Sequence, residues 1–315
     1  MSDHVSSPAR PRAKTRARPT LVTERDREIL AFVAEHRIVL AAHVQTLLRT
    51  SGAFAYRRLA GLTARGLLGH SRILHGEPGW YQITRSGLAL IGSDLPAPRL
   101  DLRCYRHDLG AAWLWLAAAR GAFGRVERIV SEREMRSRDG ASATTGSGAV
   151  AAAEVEAPGG ATPPFGVHLG GIGPGGKVRL HYPDLLLIGT ADERVAVELE
   201  LSAKGGRRLE AILGGYGADP GIAAVLYVSD KPGIRREVRG AAARLGISHL
   251  VHVQPFAPPA VTGARGTDRS LARTAPARAD SPHRPEPAPR PARRTADRAQ
   301  LAPAPRPAVH EGLAR

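Results

Sequence analysis

The stretch HYPDLLLIGTADERVAVELELSAK, residues 181–204, places Asp184 in one predicted strand and Glu198 and Glu200 on the next, with Lys204 just beyond. Side chains alternate faces along a strand, so Glu198 and Glu200 point the same way, towards the side where Asp184 could meet them. Leu185, Leu187, Val195, Val197, Leu199 and Leu201 read as the opposite, buried face. Carboxylates on paired strands can hold a hard divalent cation, and a nearby ammonium can stabilise charge developing on a phosphate. Sharing one face is necessary for such a site and not sufficient. The same alternation also describes three solvated carboxylates above an apolar core. Lys204 must reach back from the strand end or the following turn to join them.

Outside this hairpin, an apolar helix, HDLGAAWLWLAAARG, starts near Arg106 and is followed by a strand at 126–130 and the segment SEREMR. The hairpin strands are expected at 178–188 and 194–201. After them come a helix at 207–216, a strand at 223–228, a helix at 232–245 and a last strand at 249–253. Through the strand at 223 the order is αβββαβ, with an antiparallel central pair and a helical crossover. Glu132 and Glu134 read either as additional ligands or as surface ion pairs. His107-Asp108 either brings an imidazole towards the carboxylates or caps its helix. Trp113 and Trp115 read as core and interdomain packing.

Residues 138–177 are rich in Gly, Ala, Ser and Pro and read as a flexible insert. Gly171, Gly176 and Lys177 have the spacing of a phosphate loop. Val178, however, replaces the hydroxyl residue that would hold Mg²⁺, Pro174 interrupts the loop, and a strand rather than a helix follows.

Towards the N-terminus, Thr23 is a predicted N-cap, with Glu24 and Asp26 in the first helical turn and Ile29, Leu30 and Val33 on its apolar face. A short helix follows at 41–48. FAYRRLAGLTARGLL then forms a third, with Ala55, Leu59 and Leu62 inward and Gly66 as its stop. Strands at 67–74 and 80–84 flank the turn HGEPG, and Thr84 caps a further helix. RRLAGLTARGLL and YQITRSG, in this element order, resemble the winged helix-turn-helix fold over about residues 21–93. The resemblance implies that the third helix enters the major groove of double-stranded DNA and that the wing touches the backbone or minor groove. By that implication Tyr56, Arg57, Arg58 and Arg65 belong to the helix contact, and Arg72 and His75 to the wing contact. A merely solvated basic face is the alternative.

The 315 residues carry a formal charge of +16, which directs attention to a polyanionic partner. Residues 1–20 hold five Lys/Arg against one acid, and residues 256–315 hold eleven against five. These Pro/Ala/Arg-rich ends are expected to be disordered basic tails. They bound a domain at 21–100 and an α/β domain at 101–255. Cys104 is the only cysteine, which excludes intramolecular disulfides and a Cys-rich zinc site. No apolar run is long enough for a bilayer and no secretory h-region opens the chain, so a cytoplasmic protein without membrane partners is expected.

The order αβββαβ, with Pro183-Asp184 on one strand and Glu198 on the next, resembles the PD-(D/E)xK nuclease-like superfamily. The resemblance implies Asp184 and Glu198 as Mg²⁺ ligands and a lysine supporting the attacking water. Glu200 stands where that pattern wants the lysine, and Lys204 is the nearest one. Glu200 and Lys204 are therefore the catalytic candidates. No cofactor follows with certainty, and Mg²⁺ is the one these carboxylates admit. The winged helix, RHDLG, SEREMR and PDLLLIG…VAVELELSAK…RRLEAILGGY together resemble the replication-relaxation family over about residues 20–255. The α+β fold then implies DNA binding in plasmid or mobile-element replication, relaxation or transfer, with replication or conjugative-transfer proteins as further partners. The alternatives are a Mg²⁺-dependent nicking or cleaving nuclease, and a transcriptional regulator whose second domain is a protein-interaction module.

Overall fold

Thr23 caps the first helix, α1 (Glu24–Glu35), reciprocally: its Oγ1 accepts from the Asp26 N–H at 3.3 Å, and the Asp26 carboxylate accepts from the Thr23 N–H at 3.0 Å. Such a box satisfies helix-end donors that would otherwise lack partners. A two-residue strand, β1 (Val39–Leu40), leads into α2 (Ala41–Leu47). Ser51 then caps α3 (Gly52–Ala64), which buries Ala55, Leu59 and Leu62. Gly66, at φ 71°, takes the left-handed conformation that ends this helix. Strands β2 (Leu68–Ser71) and β3 (Trp80–Ile83) pair antiparallel, and Thr84 caps α4 (Arg85–Leu90). Strand β1 was not foreseen; it pairs with β3 on its other edge, completing a three-stranded sheet of order β1-β3-β2.

Helix α5 (Tyr105–Ala119) joins the two halves of the chain. Its Ala112, Trp113 and Leu116 pack with α1, α2 and α3, while Leu114 and Ala118 pack on one face of a five-stranded sheet. That sheet contains β4 (Arg128–Ser131), β7 (Leu185–Ile188), β8 (Arg194–Leu199), β9 (Ile222–Ser229) and β10 (Val251–Pro255), in the order β10-β9-β8-β7-β4. The pairs β4/β7 and β7/β8 are antiparallel, and β8/β9 and β9/β10 are parallel. Helices α7 (Gly206–Ala218) and α8 (Pro232–Arg244) supply the crossovers and cover the other face, through Ile212, Leu213, Tyr216 and Val238. The sheet is therefore buried on both sides, as parallel pairing through helices requires. The class is α+β.

Two expectations differ. SEREMR opens a helix, α6 (Glu132–Thr145), and residues 167–172 form a strand, β5 (Val167–Ile172), so most of the described part of the expected insert is regular structure. The Asp139 carboxylate accepts from the Phe165 and Gly166 N–H groups at 3.0 and 3.2 Å, fastening the returning chain to α6. The single strand expected at 178–188 is two strands. β6 (Val178–His181) pairs with β5 in a separate ribbon, and Pro183 lies in the break before β7. From Val178 the chain runs as a strand, not as the helix whose N-terminal amides a phosphate loop needs, so the phosphate-loop reading fails for the reason given above.

This computed structural model describes residues 21–145, 164–173, 176 and 178–257. They all fall within one compact unit, Met1–Gly263; the second unit, Ala264–Arg315, lies outside the described residues. The expected basic tails lie outside them as well, except Phe256, whose ring packs on the core, and Ala257. Among the described residues no helix is long and apolar enough to cross a membrane.

Candidate functional site

Of the three carboxylates of the opening stretch, Glu198 and Glu200 are buried rather than solvated, and Asp184, in the break before β7, is half-buried. Glu198 is 2% exposed and Glu200 6%. Both faces of β8 are covered, so alternation directs Glu198 into the layer beneath α7 instead of into water. Glu198 Oε1 is hydrogen-bonded to His181 Nε2 at 2.6 Å and accepts from the Tyr216 hydroxyl. Lys204 reaches back from beyond the strand: its Nζ ion-pairs with Glu200 and lies 3.9 Å from Glu198 Oε2. Asp184 Oδ2 accepts from the Leu199 N–H at 2.7 Å and sits 3.2 Å from His107 Nε2. Here the alternatives for His107-Asp108 separate. His107 points to the carboxylate cluster, and Asp108 pairs with Arg37 at 3.4 Å.

The electrostatics follow from burial and these partners. Burial alone would raise the Glu198 carboxyl, but His181, Lys204 and Tyr216 together hold it below the ordinary value. Burial opposes the Lys204 ammonium, and Glu198 and Glu200 more than compensate, raising it. The Asp184 carboxylate raises His107 to about 11. A divalent cation would need oxygens from Asp184 and Glu198, yet those oxygens already serve a backbone amide, two imidazoles, a phenol and an ammonium. Among the described residues no group of three or more His, Cys, Asp or Glu is arranged to hold a metal ion. The donor set, as arranged, does not fit Mg²⁺.

A pH dependence follows from His107. A histidine raised in the fold contributes stability that is complete below its unfolded value and is lost as pH rises through its folded value. Here that window runs from the ordinary value of 6.5 up to about 11. Urea unfolding is expected to show stability declining between about pH 7 and 10, with the decline flattened in His107→Gln. Parallel curves for the two proteins would refute the ion pair.

Beside this cluster, α6 docks onto the end of α1. Arg133, 8% exposed, donates to the carbonyls of Ala34 at 2.6 Å and His36 at 3.1 Å, and also to the Pro96 carbonyl. Burial, with Arg37 nearby, lowers this guanidinium to about 10. Arg37 pairs with Glu132 at 2.8 Å, and Ser131 donates to Glu35. Glu132 and Glu134 therefore join arginines instead of the carboxylate cluster; Glu134 holds Arg128 and, at 2.6 Å, Arg138. His181, Tyr216, Arg37 and Arg133 were not singled out from sequence. His181 stood in the decisive stretch, two residues before Pro183. The other three had no local signal.

In the N-terminal block, α3 exposes Tyr56 and Arg57, and Arg65, its C-cap, is exposed too. Arg57 lies 5.6 Å from the Phe54 ring centroid. Arg58 is turned inward: it pairs with Asp26 at 2.6 Å and donates to Thr23 Oγ1 at 2.5 Å, holding α3 to the start of α1. Arg72 and His75 are exposed on the connection between β2 and β3.

No protein-family model matches the chain, and no curated protein matches it. Among solved structures, two variants of Lactococcus lactis ZitR are 19% and 20% identical. They cover 41% and 39% of this chain and 77% and 82% of their own, each with a TM-score of 0.21. A structure described as PigF with SAH is 15% identical and covers 73% of this chain and 61% of its own, with a TM-score of 0.16.

Proposed function

We propose that the chain is a DNA-binding protein in which residues 21–93 act as a winged helix and residues 101–255 as a PD-(D/E)xK-like domain. Its place would be in replication, relaxation or transfer of a plasmid or mobile element, together with replication or transfer proteins. The observation that carries the DNA reading is the outward face of α3, where Arg57 and Arg65 meet no carboxylate among the described residues. Guanidinium forks there are free for phosphates or guanine edges, with Tyr56 exposed beside Arg57 and Arg72 and His75 on the wing. Arg58 supports the surface by fixing the angle between α3 and α1.

Binding to a mixed-sequence duplex, followed by fluorescence anisotropy across salt concentrations, tests this. Arg57→Ala/Arg65→Ala is expected to weaken binding roughly tenfold or more and to lower the salt slope by about 1.8, the loss of two phosphate contacts. Salt-insensitive binding, or an unchanged variant, would reject the reading. A nuclease reading is favoured by the convergence of Asp184, Glu198, Glu200 and Lys204, but their closed ion pairs weigh against it. Supercoiled plasmid nicked only with Mg²⁺ or Mn²⁺, and not by Asp184→Asn, would replace binding with cleavage as the function.

A further inference from the structure

A cleft of about 980 Å³ runs between α4, the 93–99 segment and the start of α6. Its wall contains Arg37, Arg85, Arg99, Arg133 and Arg136 and no carboxylate residue. Three of these guanidiniums are held in place from behind. Arg133 is fixed by backbone carbonyls, and Arg37 and Arg136 share Glu132, each at 2.8 Å. Arg136 also lies over the Tyr182 ring, 4.4 Å from its centroid. Arg85 and Arg99 are exposed and meet no carboxylate among the described residues. Glu132 and, for Arg37, Asp108 at 3.4 Å thus answer two of five arginines, and the cleft keeps a surplus of positive charge.

We propose that this cleft holds the phosphodiester backbone of a DNA segment flanking the one met by α3, so that the protein grips DNA at two places. The inference rests on the DNA-binding reading above and deepens it. Arg85 follows β3 and Thr84 directly, so the cleft begins where the wing ends. The rest of the wall is aliphatic or proline, with Ser93 and Ser137 the only other polar side chains, and it offers no aromatic surface for a base. A nucleotide pocket would need groups that recognise the base. A row of arginine forks recognises successive phosphates instead.

The test compares a duplex of about one helical turn with one of about two and a half turns, across salt. The proteins are wild type, Arg85→Ala/Arg99→Ala and Arg57→Ala/Arg65→Ala. Both replaced pairs are exposed, so thermal unfolding should stay at the wild-type temperature. On the long duplex, Arg85→Ala/Arg99→Ala is expected to lose about 1.8 of the salt slope, the loss of two phosphate contacts. On the short duplex it should match wild type, whereas Arg57→Ala/Arg65→Ala weakens both. If Arg85→Ala/Arg99→Ala binds the long duplex like wild type while the α3 variant is impaired, the cleft proposal falls and the DNA reading stands. If neither variant changes binding to either duplex, the DNA reading falls and the proposal with it. Saturable ATP binding that requires Arg85 and Arg99, with no effect of duplex length, would overturn the proposal in favour of a small phosphorylated ligand.

Discussion

Glu198→Ala is expected to destabilise the protein by about 3 to 5 kcal/mol, the usual cost of removing one partner from a buried ion pair. The carboxylate is the shared acceptor for His181 and Tyr216 and the second anion beside Lys204. Its removal leaves the buried Tyr216 phenol and the partly buried His181 imidazole without their acceptor, and takes from the Lys204 ammonium the second of its two carboxylate neighbours. Glu198→Gln keeps the shape and an acceptor oxygen but not the charge, so it should cost less than Glu198→Ala. Urea unfolding at neutral pH reads both. If Glu198→Ala unfolds within about 1 kcal/mol of wild type, the carboxylate is not the hub of a buried network, and the metal reading regains ground. Because Glu198 is held below its ordinary value, its contribution is present above the unfolded carboxyl value and is lost as pH falls through the folded one. The gap between wild type and Glu198→Gln should therefore narrow in acid.

Arg133→Ala is the second large effect, again about 3 to 5 kcal/mol. The carbonyls of Ala34 and His36 belong to the end of α1, where no further helical N–H is available to them. Arg133 satisfies them from α6, places a positive charge at the negative end of the helix, and draws in the Pro96 carbonyl as well. Without it, the buried carbonyls of Ala34 and His36 lose their donor, and the Pro96 carbonyl is released. A domain of this size would lose roughly 6 to 20 °C in Tm. Arg133→Lys should fall between, because an ammonium is a single point donor and not a fork. An unchanged Tm in Arg133→Ala would show that the junction between α1 and α6 contributes nothing to the fold.

Much of the architecture was legible because it rests on short-range rules. Thr23 with Asp26, Gly66 after α3 and Thr84 before α4 are local terminators, and each does in space what its position suggests. Alternation along β8 set Glu198 apart from the apolar face of Val197 and Leu199. What alternation could not reveal was that the Glu198 face is covered. Polar residues at every second position read as solvent-facing, yet α7 lies over them and supplies Tyr216. Strand β1 was invisible for a related reason: two residues carry no period, and only pairing with β3 makes them a strand. Segment 138–177 looked like a linker by composition, but helix α6 and strand β5 are held there by contacts to Asp139 and to α7, which composition does not record.

The chain order of elements, the helix caps, the surplus of arginine and the alternation that sets Glu198 apart from Val197 and Leu199 are properties of neighbouring residues, so the sequence alone determined them. The partners of those residues were decided only in three dimensions. His107 and His181 stand 77 and 17 residues from the carboxylates they meet, and Arg133 is 97 to 99 residues from the α1 carbonyls it serves. Whether a carboxylate is a metal ligand or the anion of a closed pair depends on which cation stands beside it. That is set by packing across the fold, and no local spacing encodes it.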